Sequence, residues 1–207
     1  PVNRDDIHYA AEGAEIWAET VSGTKAFIAD QKKTNEEATF SLIIFNQTIQ
    51  KVVSDKCLKD LDTSGLDKFS PNGTTALNDA IGLAIMETAK KSVWHRTESQ
   101  RLKKRKPIVV IMTDGFENAS RKYTKSAVAK LIKEKEAEGW SFIYLGANQD
   151  AIQEAQGYGI SGTSAMTFSA DASLMPQIML NVSSSVSMRS YFRMGKEETL
   201  RFRFNFS

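Results

Sequence analysis

Apolar residues recur along this chain with two different periods, and the period decides the element. Over residues 10–33, Ile16, Trp17, Val21, Ala26, Phe27 and Ile28 fall at roughly helical spacing, which predicts a helix. Gly23 inside it costs about 1 kcal/mol relative to Ala, a sign of close packing against a neighbour. Residues 38–45 and 48–53 read as two strands joined by the turn Asn46-Gln47, a hairpin. Residues 54–74 read as loop, punctuated by Asp62, Ser64, Gly65, Pro71, Asn72 and Gly73. A helix is predicted from Thr75, carrying Leu77, Ala80, Ile81, Ala84, Ile85 and Ala89.

The run Ile108-Val109-Val110-Ile111-Met112-Thr113 is continuous rather than alternating, as in a strand buried on both faces. It is followed by a predicted helix at 122–138, a buried strand at 140–145, a short helix at 150–157, a short strand at 165–168 and a helix at 171–190. Strands alternating with helices predict an α/β fold, a doubly wound, mostly parallel sheet with helices on both faces. The expected organisation is one domain over residues 1–170. Residues 171–207 add a helix and an alternating strand, as part of that domain or as an assembly contact.

Composition narrows the function classes. The chain has 207 residues, a net charge of +2, 41% hydrophobic and 25% charged residues, ordinary for a soluble globular protein. That small charge gives no global field for nucleic acid. The single cysteine, Cys57, excludes an internal disulfide framework and is compatible with a reducing compartment. No apolar run reaches membrane-spanning length and no signal-peptide pattern opens the chain; a cytoplasmic protein is the expectation. There is no Gly-x-x-x-x-Gly-Lys phosphate loop and no Gly-x-Ser-x-Gly elbow. With two His and one Cys, nucleophilic dyads have few candidates. His8 and His95 have no metal-like spacing. A non-enzymatic protein follows.

The chemistry concentrates where the 108–113 strand ends in Thr113-Asp114-Gly115. In open α/β sheets, ligands sit in the crevice beyond the carboxyl ends of the strands. A carboxylate followed by glycine therefore stands where recognition usually occurs. Glu117, Asn118 and Asn148 are candidates for the rim of the same site, and Asp79 for a supporting group.

Three segments together resemble the von Willebrand factor A domain family in its small bacterial and phage-type form. Gly73-Thr74-Thr75-Ala76-Leu77-Asn78-Asp79-Ala80-Ile81-Gly82 resembles the family's threonine motif, Thr113-Asp114-Gly115-Phe116-Glu117-Asn118-Ala119-Ser120 its second aspartate motif, and Phe142–Ala151 its following strand and loop. Phe27–Lys33 fits the end of the first helix. The resemblance covers roughly residues 20–160. It implies a metal-ion-dependent adhesion site in which Thr75 and Asp114 are ligands to Mg²⁺. Such an ion takes near-octahedral oxygen ligands and retains waters, so an open position can accept a carboxylate from a protein partner.

The family's first motif, Asp-x-Ser-x-Ser after a central first strand, does not appear. Counting back from Phe27 places it at His8-Tyr9-Ala10-Ala11-Glu12; a short insertion places it at Asn3-Arg4-Asp5-Asp6-Ile7. No apolar strand precedes either. Its absence splits the sheet and exposes two long edges. Either a segment is missing from the chain as given, or another segment fills the gap, or the resemblance ends here; by analogy with the family's architecture the expectation is a missing or disordered first strand. The tail alternates Leu200, Phe202, Phe204 and Phe206 with Arg201, Arg203, Asn205 and Ser207. A central strand would bury two arginines, so the tail reads as an edge strand or subunit contact.

The leading expectation is a protein-interaction module at the carboxyl edge of the sheet. The alternative is a structural subunit, a homo-oligomer or part of a phage particle, associating through edges and through Phe202, Phe204 and Phe206. A third reading is RNA or phosphate binding through Arg101–Lys106; aromatics do not interleave with that loop.

Overall fold

The computed structural model describes residues 18, 20–33, 38–66, 73–94, 107–147, 150–168 and 174–193. The first helix, α1, runs over 20–33. A hairpin follows, β1 (Thr39–Phe45) and β2 (Ile49–Cys57), closed by Asn46, whose side-chain oxygen accepts from the Thr48 N–H and hydroxyl. β2 extends four residues past the predicted end at 53. It accommodates them with register shifts against β1, and Asp55 turns into the left-handed region at φ 52°. The remaining elements are α2 (Leu77–Trp94), β3 (Ile108–Thr113), α3 (Lys125–Ala137), β4 (Ser141–Ala147), α4 (Ala151–Gly157), β5 (Ala165–Phe168) and α5 (Met175–Arg193). α3 starts later than predicted because Thr124 caps it, accepting from the Ala127 N–H at 3.2 Å. It ends where Gly139, at φ 92°, lets the Trp140 N–H reach back to the Lys135 carbonyl.

The α/β class holds, but the described strands form two sheets, not one. β1 and β2 make an antiparallel pair; β3, β4 and β5 make a parallel sheet in that order. No ladder among the described residues joins β1 to β3. Burial records the split: β4, paired on both sides, is buried from Phe142 to Ala147, whereas four of the six β3 residues are only half-buried.

Two cores lie on opposite faces. On one, Val21, Phe27 and Ile28 of α1 and Met175, Ile178, Met179 and Val182 of α5 pack with Ile143, Leu145 and Phe168. Phe40 and Leu42 of β1 and Ile108, Val110 and Met112 of β3 border this core. On the other face, Leu77, Ile81 and Ile85 of α2 and Val128 and Ile132 of α3 pack with Ile111, Phe142 and Tyr144. The close approach predicted at Gly23 is present: a Cβ there would meet Met179 at 2.8 Å and Met175 at 3.2 Å. α5 thus shares the α1 core and is packed into the domain.

Candidate functional site

The carboxyl ends of β1 and β3 meet the start of α2 at one rim. The Ala76 N–H donates to the Asn46 carbonyl just past β1. Thr75 lies against Gly115 just past β3, where an added Cβ would sit 2.7 Å from the Thr75 hydroxyl oxygen. A larger residue at 115 would force the Thr75 side chain to shift. The hydroxyl of Thr75 and the loop carrying Asp114 therefore converge, and the Asp114 side chain lies at the solvent surface.

A set of hydrogen bonds from side chain to backbone clasps this loop to α2. The Thr75 N–H donates to the Asn118 side-chain oxygen at 2.7 Å, and the Thr75 carbonyl accepts from the N–H groups of Asn118 and Ala119. Glu117 accepts from the N–H groups of Asn78 (2.7 Å), Ala119 (3.0 Å) and Ser120 (2.8 Å) and from the Ser120 hydroxyl (2.7 Å). Ser120 in turn accepts from the Asp79 N–H. The first-turn amides of α2, which have no partner within the helix, are thus capped from 40 residues downstream rather than by Thr75. A carboxylate at that end also complements the helix dipole.

Asp79 mirrors Glu117. Its carboxylate accepts from the N–H groups of Arg121, Lys122 and Tyr123 at 2.8–2.9 Å, and the residue is buried. Burial pushes the carboxyl of Asp79 up, yet those bonds and the Lys122 charge outweigh it and hold the group below the usual aspartate value. Glu117 behaves alike: burial raises it, and the bonds from Asn78, Ser120 and Ala119 bring it below the usual glutamate value. Both carboxylates remain ionised and committed to backbone amides. Asp79 is a brace and Glu117 an internal clasp.

Below the clasp, the buried Tyr158 hydroxyl at the end of α4 donates to the Asn78 side-chain oxygen at 2.7 Å. Desolvation raises the Tyr158 phenol strongly; its stacked neighbour Tyr144 rises to about 12 for the same first reason. Neither this buried bond nor the clasp is part of the expectation from sequence. The clasp's trace is the spacing Asn78-Asp79 facing Glu117-x-x-Ser120, legible once the two segments are known to touch. Phe116 stands 62% exposed beside Asp114, the most exposed of the large hydrophobic residues described.

Of the other predicted residues, Asn148, Phe202, Phe204 and Phe206 lie outside the described residues, as do His8, His95, the Arg101–Lys106 loop and both placements of the first motif. Among the described residues, no group of three or more His, Cys, Asp or Glu is arranged to hold a metal, and no helix is long and apolar enough to cross a membrane.

No protein-family model and no curated protein matches the chain. Solved structures do. Proximal thread matrix protein 1 from the mussel byssus aligns with TM-score 0.57 and 17% identity, over 83% of this chain and 40% of that one. The same protein with a zinc-occupied MIDAS motif aligns with TM-score 0.61 and 16% identity, over 82% of this chain and 43% of that one. The chain therefore spans about two fifths of the length of these proteins. At such identity the likeness speaks for the fold alone: the chain has a von Willebrand factor A-like α/β fold.

Proposed function

We propose that this chain is a non-enzymatic protein-interaction module that engages a partner at the rim formed by the carboxyl ends of β1 and β3. The observation that carries the reading is the convergence of Thr75 on the Asp114–Gly115 turn. A hydroxyl and a carboxylate are hard oxygen donors and fit a cation such as Mg²⁺ that keeps most of its waters. Thr75 and Asp114 would hold it, and the bound ion would supply a charge bridge to a carboxylate on the partner. Asp79 and Glu117 hold the two ligands' segments together and keep their own oxygens on backbone amides. One protein of similar fold has a zinc-occupied MIDAS motif, which supports reading the rim as a place for a divalent ion. With two protein oxygens, the binding is weak. Asn118 and the exposed Phe116 give the partner polar and apolar contacts beside the ion.

A second reading, a structural subunit of an assembly, draws support from edges of β1 and β3 that no described strand pairs and from the matrix role in the name of the similar proteins.

The first reading is tested by Mn²⁺ titration, followed by calorimetry and paramagnetic resonance, on the chain and on Asp114→Ala and Thr75→Val. Loss of supporting groups around a metal commonly costs about 10–100-fold in affinity. Removing a ligand should therefore weaken binding by at least about tenfold while circular dichroism stays unchanged. Equal Mn²⁺ affinity in all three proteins would remove the metal from the account.

A further inference from the structure

The apolar run of β3 breaks at its last residue. Ile108 to Met112 are all apolar, and Thr113 follows them, buried and paired with Gly146 of β4. Burying a hydroxyl costs free energy unless it finds a partner. Valine, of similar shape, would carry no such cost at this position. The Thr113 hydroxyl finds its partner on the turn that β3 delivers. It donates to the Gly115 carbonyl at 2.9 Å and accepts from the Gly115 N–H at 3.3 Å. Both bonds go to the residue two positions on, the pattern by which a threonine hydroxyl closes a turn. Asp114 is the middle residue of that turn and is exposed. The turn is thus tied to the paired end of the strand.

Thr75 is fixed from the other side. The Asn118 side chain accepts from its N–H, and its carbonyl accepts from the N–H groups of Asn118 and Ala119. Its hydroxyl makes no hydrogen bond among the described residues. That hydroxyl oxygen stands 2.7 Å from where a Cβ of residue 115 would be, in the space that the bare glycine leaves. Threonine is stiff about χ1. With its backbone held at both ends, Thr75 cannot follow a displaced turn, and its hydroxyl would turn away or lose contact with residue 115.

We infer that Thr113 is a positioning residue for the rim: its buried hydroxyl holds the Asp114–Gly115 turn against the Thr75 hydroxyl. The inference rests on the reading of Thr75 and Asp114 as ligands to a divalent ion. With two protein oxygens, affinity depends on how well both are held before the ion arrives. Asp79 and Glu117 fasten the loop further on, through the amides of residues 119–123. Thr113 sets the turn that carries Asp114 itself.

Thr113→Val and Thr113→Ser, beside the native chain, test this with two readouts. One is the nuclear Overhauser contact between the Thr75 side chain and the Gly115 α protons, measured without metal. The other is Mn²⁺ affinity by calorimetry. Thr113→Val is expected to lose the contact and to bind Mn²⁺ at least about tenfold more weakly, the scale for groups that support metal ligands. Thr113→Ser keeps the hydroxyl and should keep both. A valine variant that retains either the contact or the native affinity overturns the inference. So does a serine variant as impaired as the valine one, because the methyl rather than the hydroxyl would then matter. Absence of the contact in the native chain overturns it as well, even where the valine variant fails to fold. A native chain that binds no Mn²⁺ removes the ion reading alone, and the contact in the two variants still decides whether Thr113 holds the turn.

Discussion

Glu117→Gln isolates the clasp with the smallest change of shape. In the native protein one carboxylate oxygen accepts from Ala119 and Ser120 N–H groups and the other from the Asn78 N–H and the Ser120 hydroxyl. With its NH₂ in the place of the oxygen near Ala119 the glutamine faces two N–H donors; with its NH₂ in the place of the other it faces the Asn78 N–H and the Ser120 hydroxyl, which can accept. At least one charge-assisted bond is lost and the others become neutral. Bonds to charged groups contribute about 1.5–3 kcal/mol and neutral ones about 0.5–1.5 kcal/mol. With the site partly open to water and free to relax, the expected destabilisation is about 2–4 kcal/mol. For a domain of this size each kcal/mol moves the Tm by about 2–4 °C, so melting followed by circular dichroism at pH 7 should fall by roughly 4–16 °C. The difference should also depend on pH. The folded pKa of Glu117 lies below the ordinary 4.5. Its stabilisation is therefore complete above the unfolded value and lost as pH falls through the lower folded value. The two melting curves should converge on acidification across that window. A variant melting within about 1 °C of the native protein at pH 7, or a gap that ignores pH, would refute the reasoning.

Two further outcomes follow from the buried tyrosines. Tyr158→Phe removes the donor to the buried Asn78 oxygen and should cost about 1–3 kcal/mol. Urea denaturation would show this as a lower midpoint at constant slope, and an unchanged midpoint would dismiss the bond as a stabilising contact. In alkali, Tyr144 and Tyr158 should resist ionisation while the protein stays folded. Their folded pKa values are raised, Tyr144 to about 12, so the stability they contribute is present below the ordinary 10 and is lost as pH rises through the folded value. Tyrosinate absorbance should show two of the five tyrosines ionising late, together with unfolding; all five titrating reversibly near pH 10 would contradict it.

The elements were legible where one period dominates. The 108–113 run, the hairpin and the α3 stripe are set by local pattern, and the structure places strands and helices there. Boundaries moved where a tertiary contact or cap intervened, as at β2 with its register shifts and α3 with Thr124. The single doubly wound sheet predicted from the strand–helix alternation is not seen among the described residues, because alternation counts strands but does not say which of them pair, and no described strand joins β1 to β3. At the site, Thr75 and Asp114 could be placed on one rim from their positions after a loop and a strand. The roles of Asp79 and Glu117 could not. A carboxylate that binds amides across 40 residues leaves no periodic trace, and in sequence it looks like any polar loop group.

The clasp works through main-chain amides, so the side chains at 116, 119 and 121 are not what fastens it. Those positions can be rewritten freely as long as none becomes proline at a bonded amide. A recognition surface mounted this way can change its chemistry and its target while its frame stays the same.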